Sequence, residues 1–237
     1  MKKILTITLV LMLAVGCFCL TGCGDATFGG NYQEATAEEV QSFANEAALA
    51  GGSNNVDLEA GYQLIVKANM PTANTNLDMD IKFAKDAQKG LMLQATMNGN
   101  MGGTSVNGMK MWVSEGISYV SFQGFKYKEY DDEITPIYSN LIESVQNFDL
   151  SALAQRAIED ATIKLGMVRE DDGTTKIKFE IPEDPQLQGT IIFVFDAQYD
   201  LVAMNFDVVV TGNTMSIVFK PWDGTVSLPG DIDSYVG

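Results

Sequence analysis

The spacing of apolar residues changes along the chain, and each spacing predicts a different element. Residues 4–16 are apolar and uncharged throughout. Apolar side chains recur at helical spacing over residues 40–47, and from residue 58 apolar and polar positions alternate with a period of two. A period of 3.6 places apolar side chains on one helix face, and a period of two places them on one strand face. The chain therefore begins with an apolar leader, continues with an amphipathic helix and then forms many strands.

The helix is predicted to begin just after Thr36. Thr36 and Glu39 have the spacing of a capping box, in which each side chain bonds the backbone N–H of the other residue. Gly51 and Gly52 end the helix. Its apolar face either docks a partner or, as is more common, packs on the protein's own sheet. The residues of that face are Val40, Phe43, Ala44 and Ala47.

About eleven strands are predicted. Segments 58–70, 77–83 and 91–97 alternate cleanly, and a meander with short Gly-bearing turns covers residues 109–130. Further strands are expected at about 162–169, 175–181, 189–196, 200–210 and 214–221. A helical insertion, residues 135–148, is followed by a second helix that Asp149 caps. The expected class is α+β, with an antiparallel sheet and a few helices.

The leader has the form of a secretory signal peptide. Lys2 and Lys3 precede the apolar run, which is shorter than the roughly 20 residues that a spanning helix needs. The sequence Leu20-Thr21-Gly22-Cys23 is similar to the bacterial lipobox, which implies cleavage before Cys23 and acylation of its thiol. Residues 1–22 are then the signal peptide, 23–35 the acylated N-terminus with a flexible tether, and 36–237 one domain.

Cys17 and Cys19 are expected to leave with the leader. The spacing of the three cysteines lacks the paired C-x₂-C pattern and the histidines of a zinc site. A disulfide between Cys17 and Cys19 would lie in the discarded segment. A second lipobox that ends at Cys17 is a poorer match, because Ala14 stands where leucine is usual.

Charge narrows the range of partners. Cleavage leaves 215 residues with 13 basic and 31 acidic side chains, a formal charge of −18. Nucleic acid is excluded as a partner, because binding it needs clustered Lys and Arg. A polybasic contact with anionic lipids is likewise not expected. Attachment to the extracytoplasmic face of the cell membrane is therefore assigned to the acyl chains on Cys23, since two chains anchor stably.

The residue types argue against an enzyme and against a cofactor. The mature chain has no histidine, and with Cys23 acylated it has no free thiol, so triads that need either are excluded. Asp78 and Asp80 remain as a carboxylate pair, and acidic turns remain as calcium candidates without an EF-hand loop. The aromatic residues of 109–130 fit sugar stacking or, more commonly, cross-strand pairing. No enzymatic activity and no cofactor are expected.

The order of elements resembles the LolA and LppX/LprG-type lipoprotein fold. There a strongly curved antiparallel sheet wraps as a half-barrel around helices. The segments "MWVSEGISYVSFQGFKYKEY" and "VSLPGDIDSY" are similar to segments of lipoproteins with that fold. The resemblance spans most of residues 36–237. It implies a hydrophobic cavity, between sheet and helices, that holds a lipid or a lipidated partner.

Strands that are apolar on both faces favour such a cavity. In 189–196 both alternating sets of residues are apolar, so each face must be covered or must line a space. The alternative is a surface interaction or sensor module with an ordinary closed core and no small ligand. The candidate cavity residues are Leu64, Met79, Phe83, Met97, Phe195 and Phe206.

Overall fold

The computed structural model describes residues 28–50, 61–130, 149–160, 162–182, 188–209, 211–222 and 224–237. These residues form one antiparallel sheet of thirteen strands and two α-helices. The helices are α1 (Ala37–Ala50) and α2 (Leu150–Glu159). The strands are β1 (Gln33–Ala35), β2 (Tyr62–Met70), β3 (Thr75–Asp86), β4 (Gly90–Met101), β5 (Thr104–Ser105), β6 (Met109–Ser114), β7 (Ile117–Phe122), β8 (Phe125–Tyr130), β9 (Lys164–Arg169), β10 (Thr175–Ile181), β11 (Gly189–Phe195), β12 (Leu201–Val208) and β13 (Asn213–Pro221).

The sheet is open, and its two halves meet through one long-range pairing. The strand order is β1-β9-β10-β11-β12-β13-β2-β3-β4-β6-β7-β8, and β5 pairs with β4. The pairing of β13 with β2 joins the late strands to the early ones. The predicted α+β class and antiparallel sheet are confirmed. The count exceeds eleven because the short strands β1 and β5 carry no alternating pattern that sequence could reveal.

Both helices pack on one face of the sheet, which we call the inner face. A continuous apolar core joins both helices to the sheet. In the order of the strands within the sheet, this core extends from Leu165 on β9 to Val113 on β6. Phe43 of α1 meets Phe195 with ring centroids 5.1 Å apart. Because side chains near both ends of the strand order contact one core, the sheet must curve around the helices.

Both predicted helix caps are present. The Thr36 backbone N–H donates to Glu39 Oε2 at 2.7 Å, and the Glu39 N–H donates to Thr36 Oγ1 at 3.2 Å. Asp149 Oδ1 accepts the Ala152 N–H at 3.0 Å. Each cap satisfies N–H groups that the first helical turn leaves without partners. The predicted start of α1 and that of α2 are therefore confirmed.

The opposite face, which we call the outer face, is covered in part by both ends of the described chain. Phe28 packs with Ile192, Val194 and Ala203, so the second apolar face of β11 has a cover. At the other end Tyr235 packs edge-on against Trp112 and Tyr119.

Residues 28–35 therefore differ from the predicted flexible tether. Gln33, Glu34 and Ala35 pair with β9, and Phe28 is buried. Apolar burial of one aromatic ring outweighs the disorder that the small, Gly-rich composition favours.

The leader, Cys23 and the helix predicted at 135–148 lie outside the described residues. Within the described residues, no helix combines the length and the apolar character needed to cross a membrane.

Candidate functional site

The centre of the inner face is a row of apolar side chains that crosses six strands. Backbone pairing places Met204, Ile217, Val66, Met79, Met97 and Met109 next to one another, from β12 to β6. Adjacent strands lie about 4.8 Å apart, so this methionine row is about 24 Å long. Eight of the ten mature methionines lie in or against the inner core.

All six predicted cavity residues face the helices. Leu64, Met79, Phe83, Met97 and Phe195 belong to the inner core, and Phe206 packs against its border. Phe83 and Met97 are each 1% exposed, so no space large enough for water lies beside them. The structure thus brings the six predicted residues onto one surface. Five of them are buried by neighbouring side chains, and Phe206 is half-buried.

One part of the inner face is only half-buried. Ile191 pairs with Phe206, and Met204 pairs with Ile217, so these four residues of β11, β12 and β13 are neighbours. All four contact the inner core without being enclosed by it. We call them the mouth patch. Sequence reasoning found only Phe206, because alternation shows that a residue is apolar but not how completely the helices cover it.

Polar side chains mark the other end of the inner face. Ser118 on β7 pairs with Glu129 on β8, and Ser118 Oγ and Glu129 Oε2 are buried without hydrogen-bond partners among the described residues. Burial and then the hydrogen bond to Glu129 raise the pKa of Tyr127. An unsatisfied buried oxygen costs about 1–3 kcal/mol. The pair could therefore bond a hydroxyl group that reaches this end of the sheet.

The predicted carboxylate candidates do not converge on a cleft. Asp78 and Asp80 lie on the outer face, where Asp80 accepts a 2.7 Å hydrogen bond from Gln63 Nε2. At the acidic turns, carboxylates accept backbone N–H groups: Asp196 bonds Gln198 and Asp200. Such bonds stabilise turns. In the part of the chain that the structure describes, no three Cys, Asp or Glu side chains form a metal-binding group.

Two further surfaces lie apart from the apolar inner face. The rings of Trp112 and Tyr119, candidates for sugar stacking, are buried against Tyr235. An open groove of about 470 Å³ lies beside β1 and α1. None of the six predicted residues lines it; its lining is Gln33, Glu34, Ala35, Glu39, Ser42, Met167, Val168 and Arg169. The groove is therefore distinct from the predicted apolar site.

Comparison with known proteins finds similar chains only among solved structures. No protein-family model matches the chain, and no curated protein sequence matches it. LprF from Mycobacterium bovis is similar over 85% of this chain and 99% of its own, at 15% identity and a TM-score of 0.46. A LolA-superfamily protein from Nitrosomonas europaea is similar over 84% and 97%, at 7% identity and a TM-score of 0.29. At these identities and TM-scores, neither likeness transfers a ligand or an activity to this chain.

Proposed function

We propose that the chain is a lipoprotein, held at the extracytoplasmic face of the cell membrane by acyl chains on Cys23. Its domain holds an apolar, acyl-chain-like ligand between the inner face and the helices. The observation that carries this proposal is the methionine-rich inner face. The proposal includes no catalytic step and no cofactor.

Methionine suits a surface that must accept variable apolar shapes. Its unbranched side chain rotates about three bonds, and its thioether is polarisable, so it fills irregular spaces at little cost. Met79, Met97 and Met109 lie side by side on three consecutive paired strands. A ligand along this row would be recognised through apolar burial, which contributes about 25 cal/mol per Å². That mode of binding needs no polar sequence motif.

Entry is proposed at the mouth patch. The packing at Phe83 and Met97 is closed, so a ligand must separate the helices from the sheet before it reaches the methionine row. Helix α2 is the element proposed to move, because it buries only Leu150, Ala154 and Ala157. The half-buried mouth patch offers the first apolar contact.

A charge in the mouth patch tests the proposed site. Phe206→Asp should abolish uptake of a fluorescent fatty-acid probe while the domain stays folded, because Phe206 is only half-buried. Val209→Asp is the matched control, since Val209 lies just beyond the same strand and is 63% exposed. Met97→Lys is a less useful variant, because burying an unpaired ammonium would unfold the domain. Equal uptake by Phe206→Asp and wild type would refute the site.

The anchor has its own test. Cys23→Ala should abolish acylation and leave the protein unprocessed or released from the membrane. If this variant is still processed, lipid-labelled and membrane-bound, the assignment of Cys23 is wrong. The test is independent of the ligand, because it measures acylation and membrane attachment and not ligand uptake.

A second function, an interaction or sensor module without a ligand, is favoured by one observation. Five of the six predicted cavity residues are enclosed in a continuous core. Mass spectrometry of an organic extract of the purified domain separates the two functions. Stoichiometric lipid supports the carrier, whereas a lipid-free protein that takes up no probe supports the interaction module.

A further inference from the structure

The outer face carries a concentration of lysines that the sequence does not reveal. Seven neighbouring strands, β13-β2-β3-β4-β6-β7-β8, form this half of the sheet. Among their outward-facing residues, six are lysines and three are acidic, namely Asp78, Asp80 and Asp86. Across the mature chain the acidic side chains outnumber the basic ones by 31 to 13. We call the six lysines the lysine face: Lys67, Lys82, Lys110, Lys126, Lys128 and Lys220.

Most of these lysines are available to an external partner. Lys67, Lys110, Lys128 and Lys220 are exposed, and the described residues place no carboxylate within 4.0 Å of their ammonium groups. Lys126 bonds Asp231, and Lys82 lies 3.8 Å from Asp80. Lys67 lies opposite Asp78 in the strand register, whereas Lys128 lies opposite Tyr119 and Lys110 lies opposite Ser121, so neutral side chains neighbour these last two lysines.

The C-terminal segment that packs on Trp112 and Tyr119 adds two carboxylates to the outer face, Asp231, which bonds Lys126, and Asp233. The other acidic residues lie largely elsewhere. Helix α1 carries Glu38, Glu39 and Glu46 on the opposite side of the sheet. Turns at the strand ends hold further carboxylates, among them Asp172 and Asp196. The Debye length is about 8 Å at physiological ionic strength. A charged surface that touches the outer face is therefore largely screened from the carboxylates of the helix layer.

The first described residues of the chain are bound to the outer face, and this limits the positions that Cys23 can reach. The buried Lys176 ammonium donates to the Gly29 carbonyl at 2.7 Å and pairs with Glu170 at 2.8 Å. Tyr32 donates its hydroxyl to the Phe28 carbonyl at 2.8 Å, and its ring lies 5.1 Å from the Lys178 ammonium. Residues 28–32 are thus bound to the outer face, and we call them the strap.

The distance from the strap to Cys23 is short. Five residue steps separate Phe28 from Cys23, and an extended chain spans at most about 3.4 Å per step, or about 17 Å in all. The far side of the helix layer lies about 15 Å below the sheet, since helix and sheet pack about 10 Å apart and a helix has a radius of about 5 Å. Phe28 lies on the other side of the sheet, so the anchor favours the outer face.

We propose that the outer face lies against an anionic lipid bilayer, with the lysine face in contact with the headgroups. This inference rests on the acylated Cys23 of the proposed function. Val218, two residues before Lys220, packs against the apolar cluster that contains Phe28, so the strap lies toward the margin of the lysine face. Headgroups attract the lysines and repel the acidic helix layer, and both effects favour the same orientation. The helices then face away from the membrane.

The orientation can be measured on the mature acylated protein in vesicles. Because this protein has no free thiol, a single introduced cysteine can be labelled specifically with a fluorophore. Ser121→Cys places a label on the outer face between Lys110 and Lys126, and Gln155→Cys places one on exposed α2. With a quencher on the lipid headgroups, vesicles of phosphatidylcholine and phosphatidylglycerol should quench the Ser121 label more strongly. Raising salt from about 0.1 to about 1 M shortens the Debye length from about 10 to about 3 Å and should reduce the difference.

Charge reversal supplies the matched comparison. Each lysine at an anionic surface contributes about five-fold to binding, so Lys110→Glu with Lys128→Glu should lower the preference for this orientation by at least about 25-fold, because the new carboxylates also repel the headgroups. Arg156→Glu with Arg169→Glu, on the helix side, should not lower it. Equal quenching of the two labels on floating anionic vesicles would overturn the orientation alone. Failure to float on neutral vesicles would overturn the acyl anchor and, with it, the anchored orientation.

Discussion

Phe28→Ala tests whether the strap is part of the folded domain. Phe28 is 4% exposed and packs with Ile192, Val194 and Ala203 on the outer face. Its truncation would remove the aromatic ring from an apolar site on the sheet. The hydrogen bonds of Gly29 and of the Phe28 carbonyl would lose the packing that holds the segment in place.

The expected loss follows from the buried area. A buried aromatic side chain removes about 150–250 Å² from water, which at about 25 cal/mol per Å² is worth about 4–6 kcal/mol. Measured Phe→Ala substitutions in cores cost about 3–5 kcal/mol. Because the strap lies at a chain end and can relax, we expect the lower end of this range, about 3 kcal/mol.

Urea unfolding of the mature protein measures this loss. Phe125→Ala is the control: Phe125 is 78% exposed on β8, and its truncation should change the free energy of unfolding by no more than about 0.5 kcal/mol. Hydrogen exchange should also show faster exchange of the β1 amides in Phe28→Ala. If Phe28→Ala is as stable as Phe125→Ala, the strap does not contribute to the fold and the inferred site of anchor emergence fails.

Two further predictions concern titration and capping. Burial, and next the charge of Glu170, raise the pKa of Tyr32 from 10.0 to about 12, so the neutral phenol stabilises the fold below pH 10 and that stability is lost as the pH rises through 12. Burial, and next the charge of Asp200, also raise the pKa of Tyr62 to about 12, so spectroscopic titration of tyrosinate should show a late step to which both residues contribute. Tyr32→Phe should reduce the amplitude of that step, and an unchanged titration curve would contradict the assignment. Asp149→Ala removes the cap of α2 and should cost about 0.5–2 kcal/mol in urea unfolding, whereas Gln155→Ala on the same helix should cost less. Equal costs for the two variants would contradict the role of the cap.

Sequence patterns located most of the elements because those patterns are local. The Thr36–Glu39 capping box needs two residues three positions apart, and both hydrogen bonds form as predicted. Period-two alternation likewise identified the inward residues of β2, β3 and β4. The strap was missed, because "FGGNY" has the small, polar composition of a linker and its burial depends on residues more than 160 positions away.

By itself, the sequence determined the class of the fold, the helix caps and which residues are apolar, since each depends on neighbours within a few positions. Tertiary structure alone decided what each face of the sheet meets. Ser216 lies beside Lys67, and Lys110 lies two strands from Lys128, only because strands from distant parts of the chain pair in one register. The lysines are spread among acidic residues along the chain, so the sequence predicted no basic surface. Pairing gathers them on the outer face because alternate residues of every strand point to the same side of the sheet.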